Sequence, residues 1–298
     1  MDRLEAMSVL LEAVDAGTLS AAGRRLGAPL ATVSRRIADL EAHLKTRLLV
    51  RGSRRLTLTD AGRAYVAAAR LILEQMQEAE RAAAGEYNAP RGDLTVSAPV
   101  VFGRLHVLPV ANDFLAAYPE IGLRLVLSDR AADLTEERID AAIRFGVLPD
   151  SGLVARRLGA VRQVVCASPA YLAAHGTPAT PAALRDHACV TFEGLSSPTA
   201  WRFAADVMAP VRSRLIVSTA EAAIDAAIAG AGLTRVLSYQ VAEAVGAGAL
   251  ALVLRGAEPD PWPVHLIHAQ QGLMPQKLRA FLDFAGERLR DRLSRAAV

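Results

Sequence analysis

Hydrophobic positions in the first 44 residues recur at helical spacing, the signature of helices with one buried stripe. Leu4, Met7, Val9, Leu10, Leu11 and Val14 draw such a stripe over residues 2–16. A second helix starts at Ser20, whose hydroxyl can accept from an unpaired first-turn amide, and runs through Arg25 and Leu26 to a stop at Gly27-Ala28-Pro29. Pro29 suits the opening turn of a third helix, with Val33, Ile37, Leu40 and Leu44 inward. The pattern then shortens to two strands, Leu48-Leu49-Val50-Arg51 and Leu56-Thr57-Leu58-Thr59, around the tip Gly52-Ser53-Arg54-Arg55. Helical spacing returns after Thr59-Asp60 and holds to about Gly85. There Ala61, Tyr65, Ala68, Ile72, Met76 and Ala79 keep near-heptad spacing, which calls for a partner helix and so for dimerisation.

Tyr87-Asn88-Ala89-Pro90-Arg91-Gly92 has linker chemistry and marks a domain boundary. Beyond it the pattern alternates. Strands are expected at Leu94–Ser97, Gly122–Leu127 and Ala141–Phe145, with helices at Gly103–Tyr118 and Leu134–Arg138 between them, a βαβαβ unit with a mostly parallel sheet. A second set follows: Val161–Ala167, a helix near Tyr171, Ala188–Phe192, Leu215–Ser218, a helix over Ala220–Ala229, and Leu233–Leu237. Val264–Ala269 and a helix from Gln276 to about Leu293 return to the first set. The expected architecture is multidomain α/β. Residues 1–59 form a winged helix-turn-helix, 60–87 a linker helix, and 88–298 a domain of two α/β sub-domains, about 92–161 with 267–298, and 162–266.

Composition agrees with a globular chain: 52% of its 298 residues are hydrophobic and 22% charged. Neither a signal peptide nor a run of about eighteen apolar residues is visible, so a cytoplasmic location away from membranes is expected. Cys166 and Cys189 are too few and isolated for a disulfide framework and receive no role. Charge changes the picture more. From Ser20 to Arg63 lie ten cations (Arg24, Arg25, Arg35, Arg36, Lys45, Arg47, Arg51, Arg54, Arg55, Arg63) against three acids, while the whole chain carries only +3. This is a local footprint for a polyanion.

On the third helix, the face opposite the stripe carries Ala31, Thr32, Arg35, Ala38 and Asp39, flanked by Ser34 and Arg36: small, hydroxylated and basic, as a major groove requires. Arg51, Arg54 and Arg55 are placed to hold phosphate or enter a minor groove.

The runs Leu19-Ser20-Ala21-Ala22, Arg25-Leu26-Gly27, Val33-Ser34-Arg35-Arg36-Ile37, Leu40-Glu41, Arg47-Leu48-Leu49, Leu58-Thr59 and Ala61-Gly62 resemble the amino-terminal signature of LysR-type transcriptional regulators. Three positions depart from it: Gly23 replaces a usual Ala, Leu30 a frequent Gln or Pro, and Lys45 the Gly that closes the recognition helix. The carboxyl-terminal part is similar to the family's effector-binding half, which resembles periplasmic solute-binding proteins of type 2. Ser97-Ala98-Pro99, Phe102-Gly103-Arg104, His106-Val107, Ser128-Asp129, Asp133-Leu134 and Asp140-Ala141-Ala142-Ile143-Arg144 look like one subgroup. The resemblance implies double-stranded DNA as partner, a homodimer or homotetramer, and a small-molecule effector bound between the sub-domains.

Strand ends name the walls of that cleft. Ser97, Pro99, Val100 and Phe102 follow the first strand, Ser128 the next, and Arg144, Phe145 and Gly146 the third, with Thr219 opening a helix of the second sub-domain. Amides near Pro99 and Val100, with Ser128, Arg144 and Thr219, suit an organic anion; the alternative for Arg144 is a structural ion pair with Asp129 or Asp140. No cofactor or metal is expected. His106, His265 and His268 are read as core or surface histidines, the last two on opposite faces of a strand. Metalloprotease, hydrolase-elbow and phosphate-loop motifs are absent, and Gly230-Ala231-Gly232 follows a helix and reads as its stop. The rival reading is an α/β enzyme with an appended nucleic-acid-binding domain.

Overall fold

A computed structural model describes residues 2–50, 56–83, 89–130, 133–134, 137–149, 152–192, 197, 199–269 and 274–295. The chain divides into two compact units, residues 1–88 and 89–298.

In the first unit, α1 (Arg3–Ala16) is capped by the Asp2 carboxylate, which accepts from the Leu4 and Glu5 amides. Its buried face is Ala6, Val9, Leu10 and Ala13, while Leu4 is exposed. The inward side is therefore rotated from the expected stripe. Helix α2 (Leu19–Leu26) begins one residue before Ser20, and its cap is Thr18, whose Oγ1 accepts from the Ala21 amide at 3.1 Å. Thr18 has the extended backbone a cap needs, whereas Ser20 sits exposed inside the first turn. Helix α3 (Leu30–Leu44) buries Val33, Ile37 and Leu40 over that pair, with Pro29 at its entrance. Lys45 ends it at φ 52°, a left-handed conformation that costs a side-chain-bearing residue energy. Lys45→Gly is expected to stabilise the unit by about 1 kcal/mol, read as a higher urea midpoint at unchanged slope.

The wing strands β1 (Leu49–Val50) and β2 (Thr57–Leu58) are antiparallel, Leu49 facing Leu58. Glu41 of α3 roots them: one carboxylate oxygen accepts from the Leu48 and Leu49 amides at 2.7 and 3.0 Å. The tip that carries Arg51, Arg54 and Arg55 lies outside the described residues. Helix α4 (Asp60–Ala83) is capped by Thr59, whose Oγ1 accepts from the Gly62 amide at 2.9 Å. Val66 and Ala69 are buried in the first unit, and Tyr65 packs against the same core. Tyr65 thus leaves the expected partner stripe. Ala61, Ala68, Ile72 and Ala79 remain exposed, Leu71 joins them, and Met76 is half-buried.

The second unit runs β3 (Gly92–Ala98), α5 (Val100–Phe102), a π-helical turn (Gly103–Val107), α6 (Leu108–Ala117), β4 (Ile121–Leu127), β5 (Ala141–Phe145) and β6 (Leu153–Val161). It continues with β7 (Gln163–Ala167), α7 (Pro169–His175), β8 (Ala188–Phe192), β9 (Ala200–Arg202), β10 (Met208–Pro210), β11 (Arg212–Val217), α8 (Ala220–Ile228) and β12 (Leu233–Leu237). Then come α9 (Ser238–Gly246), β13 (Ala251–Val253), β14 (Trp262–Ala269) and α10 (Gln276–Arg295). One sheet is ordered β4-β3-β5-β14-β6 and the other β11-β8-β12-β7-β13. Each is mostly parallel, as expected, with one strand reversed: β14 runs against the other four in the first sheet, and β7 against the other four in the second.

Strand β14 pairs with β6 from Trp262 onward, so the sub-domain boundary expected at 266 falls inside a strand and belongs near 262. Leu134, Glu137 and Arg138 are turn residues where a short helix was expected; Thr135 and Glu136 lie outside the described residues. The two crossovers between sheets are pinned together. Arg162 Nη1 meets Glu258 Oε2 at 2.7 Å, and the Ser238 amide donates to the Arg162 carbonyl at 2.8 Å. The apolar segment Val100–Ala117 is a core helix, with Phe102, Val107, Val110 and Phe114 buried.

Candidate functional sites

The outward face of α3 is as its periodicity requires. Ala31 and Arg35 are exposed, and Thr32 and Ser34 half-buried. Among the described residues Arg35 forms no ion pair. Its neighbour is different: Arg36 Nη2 lies 2.6 Å from Glu5 of α1, and Arg25 is likewise held by Glu12 at 3.1 Å. Arg36 is thus engaged within its own unit, bracing α3 to α1.

In the second unit, the carboxyl ends of β3, β4 and β5 meet α8 and α9 of the other sheet. The Val100 amide, expected to hold an anion, already donates to Asp129 Oδ1 at 3.0 Å. Ser128 Oγ accepts from the Arg130 amide, and Thr219 Oγ1 caps α8 by accepting from the Ala222 amide. Phe102 is fully buried, so it lines no cleft; its ring packs edge-on against Phe145 at 5.3 Å and Tyr239 of α9 at 5.4 Å. Ala220 and Leu237 belong to the same core, which therefore spans both sheets.

Arg144 and Phe145 do not converge. They are consecutive on β5 and point to opposite faces: Phe145 stands beside core Val264, while Arg144 is in register with His265. Arg144 Nη1 donates to the Ile143 carbonyl, and burial lowers its pKa against the opposing charge of Glu137. Of the two carboxylates considered as its ion-pair partners, Asp129 accepts from the Val100 amide as above and Asp140 from the Thr95 amide at 2.7 Å. Ser97 is completely buried. The Gly146 amide donates to the Pro263 carbonyl, tying the end of β5 to β14. Phe145 thus meets Tyr239 of α9 across the two sheets, and Pro99 and Ser128 lie at the ends of β3 and β4 beside the Val100–Asp129 hydrogen bond, while Arg144 points to the other face of β5. Asp129 and Tyr239 are junction residues that the sequence reading did not nominate. Burial raises the Tyr239 pKa, and the charges of Asp129 and Glu221 raise it further.

His106 occupies the π-helical turn beside this junction, 4.8 Å from the Phe102 ring and 5.5 Å from that of Tyr239. Burial, with the Arg292 charge, lowers its pKa from 6.5 to about 4. Because the folded pKa lies below the unfolded one, its stabilising contribution is present above pH 6.5 and is lost as pH falls towards 4. The expected loss is up to about 3 kcal/mol between pH 7 and 4. His106→Gln should flatten that part of the pH profile in chemical unfolding.

His265 and His268 point to opposite faces as expected from their spacing. Among the described residues no group of three metal-ligating side chains occurs. Cys166 and Cys189 are buried, with β12 between them, and burial pushes both thiols up to about 12, which keeps them unreactive.

Comparison with known proteins joins these two sites. Residues 4–63 match the helix-turn-helix model of the lysR family of bacterial regulatory proteins, and residues 88–290 match the LysR substrate binding domain. An HTH-type transcriptional repressor of Pseudomonas aeruginosa is 35% identical over 297 residues, covering 96% of this chain and 92% of its own. The transcriptional activator AaeR of Escherichia coli is 29% identical, with 95% and 93% covered. The structure of CrgA, a LysR-type transcriptional regulator from Neisseria meningitidis, is 32% identical with a TM-score of 0.61, covering 96% of this chain and 98% of CrgA. With a DNA-binding unit at one end and an effector-binding domain at the other, the chain belongs to the LysR family of DNA-binding transcriptional regulators.

Proposed function

We propose that this regulator acts in the cytoplasm as a homodimer or homotetramer, reads its operator through Ala31, Thr32, Ser34 and Arg35 of α3, and takes no part in catalysis. The observation that carries the reading is the exposed α3 face, with Arg35 in no ion pair among the described residues and the helix braced from behind by Arg36–Glu5 and Glu41. Ala61, Ala68, Leu71 and Ile72 on α4 supply an exposed apolar line for a partner helix. A dimer presents two recognition helices to a pseudo-palindromic site. Arg51, Arg54 and Arg55 hold phosphate.

The effector binds at the junction of the two sheets, beside Pro99, Ser128, Asp129, Phe145, Thr219 and Tyr239. An organic anion loses two donors there, since the Val100 amide is engaged by Asp129 and Arg144 faces away. A ligand that binds the closed junction better than the open one shifts that equilibrium by its differential affinity and so moves the DNA-binding units.

Fluorescence anisotropy on duplex DNA from the gene's own upstream region, against scrambled DNA across a salt series, tests the operator reading. Selectivity on the order of a thousandfold with a steep loss on adding salt is the expected result. Weak binding, equal on both duplexes and on sites selected from random DNA, would overturn it. Replacing Tyr239 by Leu should abolish the effector response while leaving operator affinity within about twofold.

A further inference from the structure

The second sub-domain contains a buried cation that none of this uses. Arg235 lies in the middle of β12 and is only 5% exposed. Trp201 of β9 is completely buried against it, the guanidinium carbon 5.6 Å from the ring centre. Nη1 donates to the Arg202 carbonyl at 2.6 Å, anchoring the β9–β10 hairpin to the sheet. Among the described residues, Arg235 Nε and Trp201 Nε1 are both buried donors without an acceptor.

Among the described residues no carboxylate pairs with Arg235. Asp206, in the turn of the same hairpin, is exposed and taken by Arg202 at 2.8 Å. The contrast with Arg162 is informative, because that guanidinium is matched by Glu258. Burial lowers the Arg235 pKa to about 10, which leaves it cationic at neutral pH. A charge in such surroundings is costly unless it is neutralised and its hydrogen bonds are made. Water meets the second need only. An anion meets both.

We propose that Arg235 and Trp201 form a receptor for a small anion of the carboxylate or halide class, held between the β9–β10 hairpin and the second sheet and separate from the effector junction. The guanidinium, with its charge and its Nε–H, and the indole N–H are its two binding elements. Bound anion stabilises the sub-domain by linkage, since the unfolded chain lacks the site.

The experiment uses the full chain with Trp262→Phe, which leaves Trp201 as the sole indole. Sodium chloride and sodium acetate are titrated separately in place of HEPES sulfonate, an anion too bulky to enter, at constant ionic strength. Saturable change in Trp201 emission is expected, with a melting temperature that climbs by about 3–5 °C per tenfold rise in anion above its Kd. Acetate acting where chloride does not would assign the site to carboxylates; the reverse would assign it to halide. Arg235→Met removes the charge but can cost folding. Trp201→Phe, read by melting temperature alone, keeps a six-membered aromatic ring and removes the pyrrole ring with its N–H. It should fold and weaken the anion dependence at least tenfold. Identical melting and emission in all three anions, or an undiminished dependence in Trp201→Phe, would overturn the proposal and leave water as the occupant.

Discussion

Gly62→Ala is expected to cost the first unit about 3 kcal/mol, because a methyl group there has nowhere to go. A Cβ at Gly62 would stand 2.0 Å from the Leu48 carbonyl oxygen and 2.9 Å from its carbon. Both are backbone atoms, so no side-chain rotation relieves the overlap. The same carbonyl accepts from the Thr59 amide at 3.0 Å, and the Gly62 amide donates to Thr59 Oγ1. One close approach thus fixes the end of the wing and the start of α4 together. Urea unfolding should show the midpoint falling, and operator affinity at 37 °C should fall with it as the folded fraction drops. A small change, under about 0.5 kcal/mol, would mean that the wing and α4 are not held at this separation.

That contact illustrates what could be read beforehand. Ala61-Gly62 carried the family resemblance, but the reason for a glycine was invisible, because Leu48 lies fourteen residues away and approaches only once the wing has folded. The stripe Val33, Ile37 and Leu40 was legible because burial repeats with the helical period and needs no distant partner. Thr18 and Ser20 were harder to separate. Either hydroxyl can cap a helix, and the choice was made by the extended backbone at Thr18 that follows the left-handed Gly17.

The junction was less legible for a similar reason. Strand ends were correctly located at Pro99, Ser128 and Phe145, yet Asp129 satisfies an amide twenty-nine residues before it. Period-two alternation alone, applied to Arg144-Phe145, would have separated their side chains. Strand β6 was missed where Arg156 and Arg157 interrupt the apolar alternation, and α9 where it follows β12 without a connecting loop. His106, read as a core or surface histidine, is buried, and its contact with Tyr239 joins elements more than a hundred residues apart.

Arg35→Ala and Arg36→Ala should separate recognition from support on adjacent residues of one helix. Arg35 is exposed and its guanidinium is free to present paired donors to a guanine edge, a contact worth about 1–3 kcal/mol of discrimination. Its removal is expected to weaken operator binding by about 30-fold while changing binding to scrambled DNA by no more than about threefold, with the unfolding midpoint unmoved. Arg36 is tied to Glu5 at 2.6 Å and is about one-third exposed. Its removal should lower stability by under about 1 kcal/mol and weaken both DNAs alike. Anisotropy on both duplexes, with urea unfolding of each variant, gives the two signatures. If Arg36→Ala were the substitution that changed sequence preference, the Glu5 pair would have to break on DNA and α3 would enter the groove rotated by about 100° from the orientation its exposed face dictates.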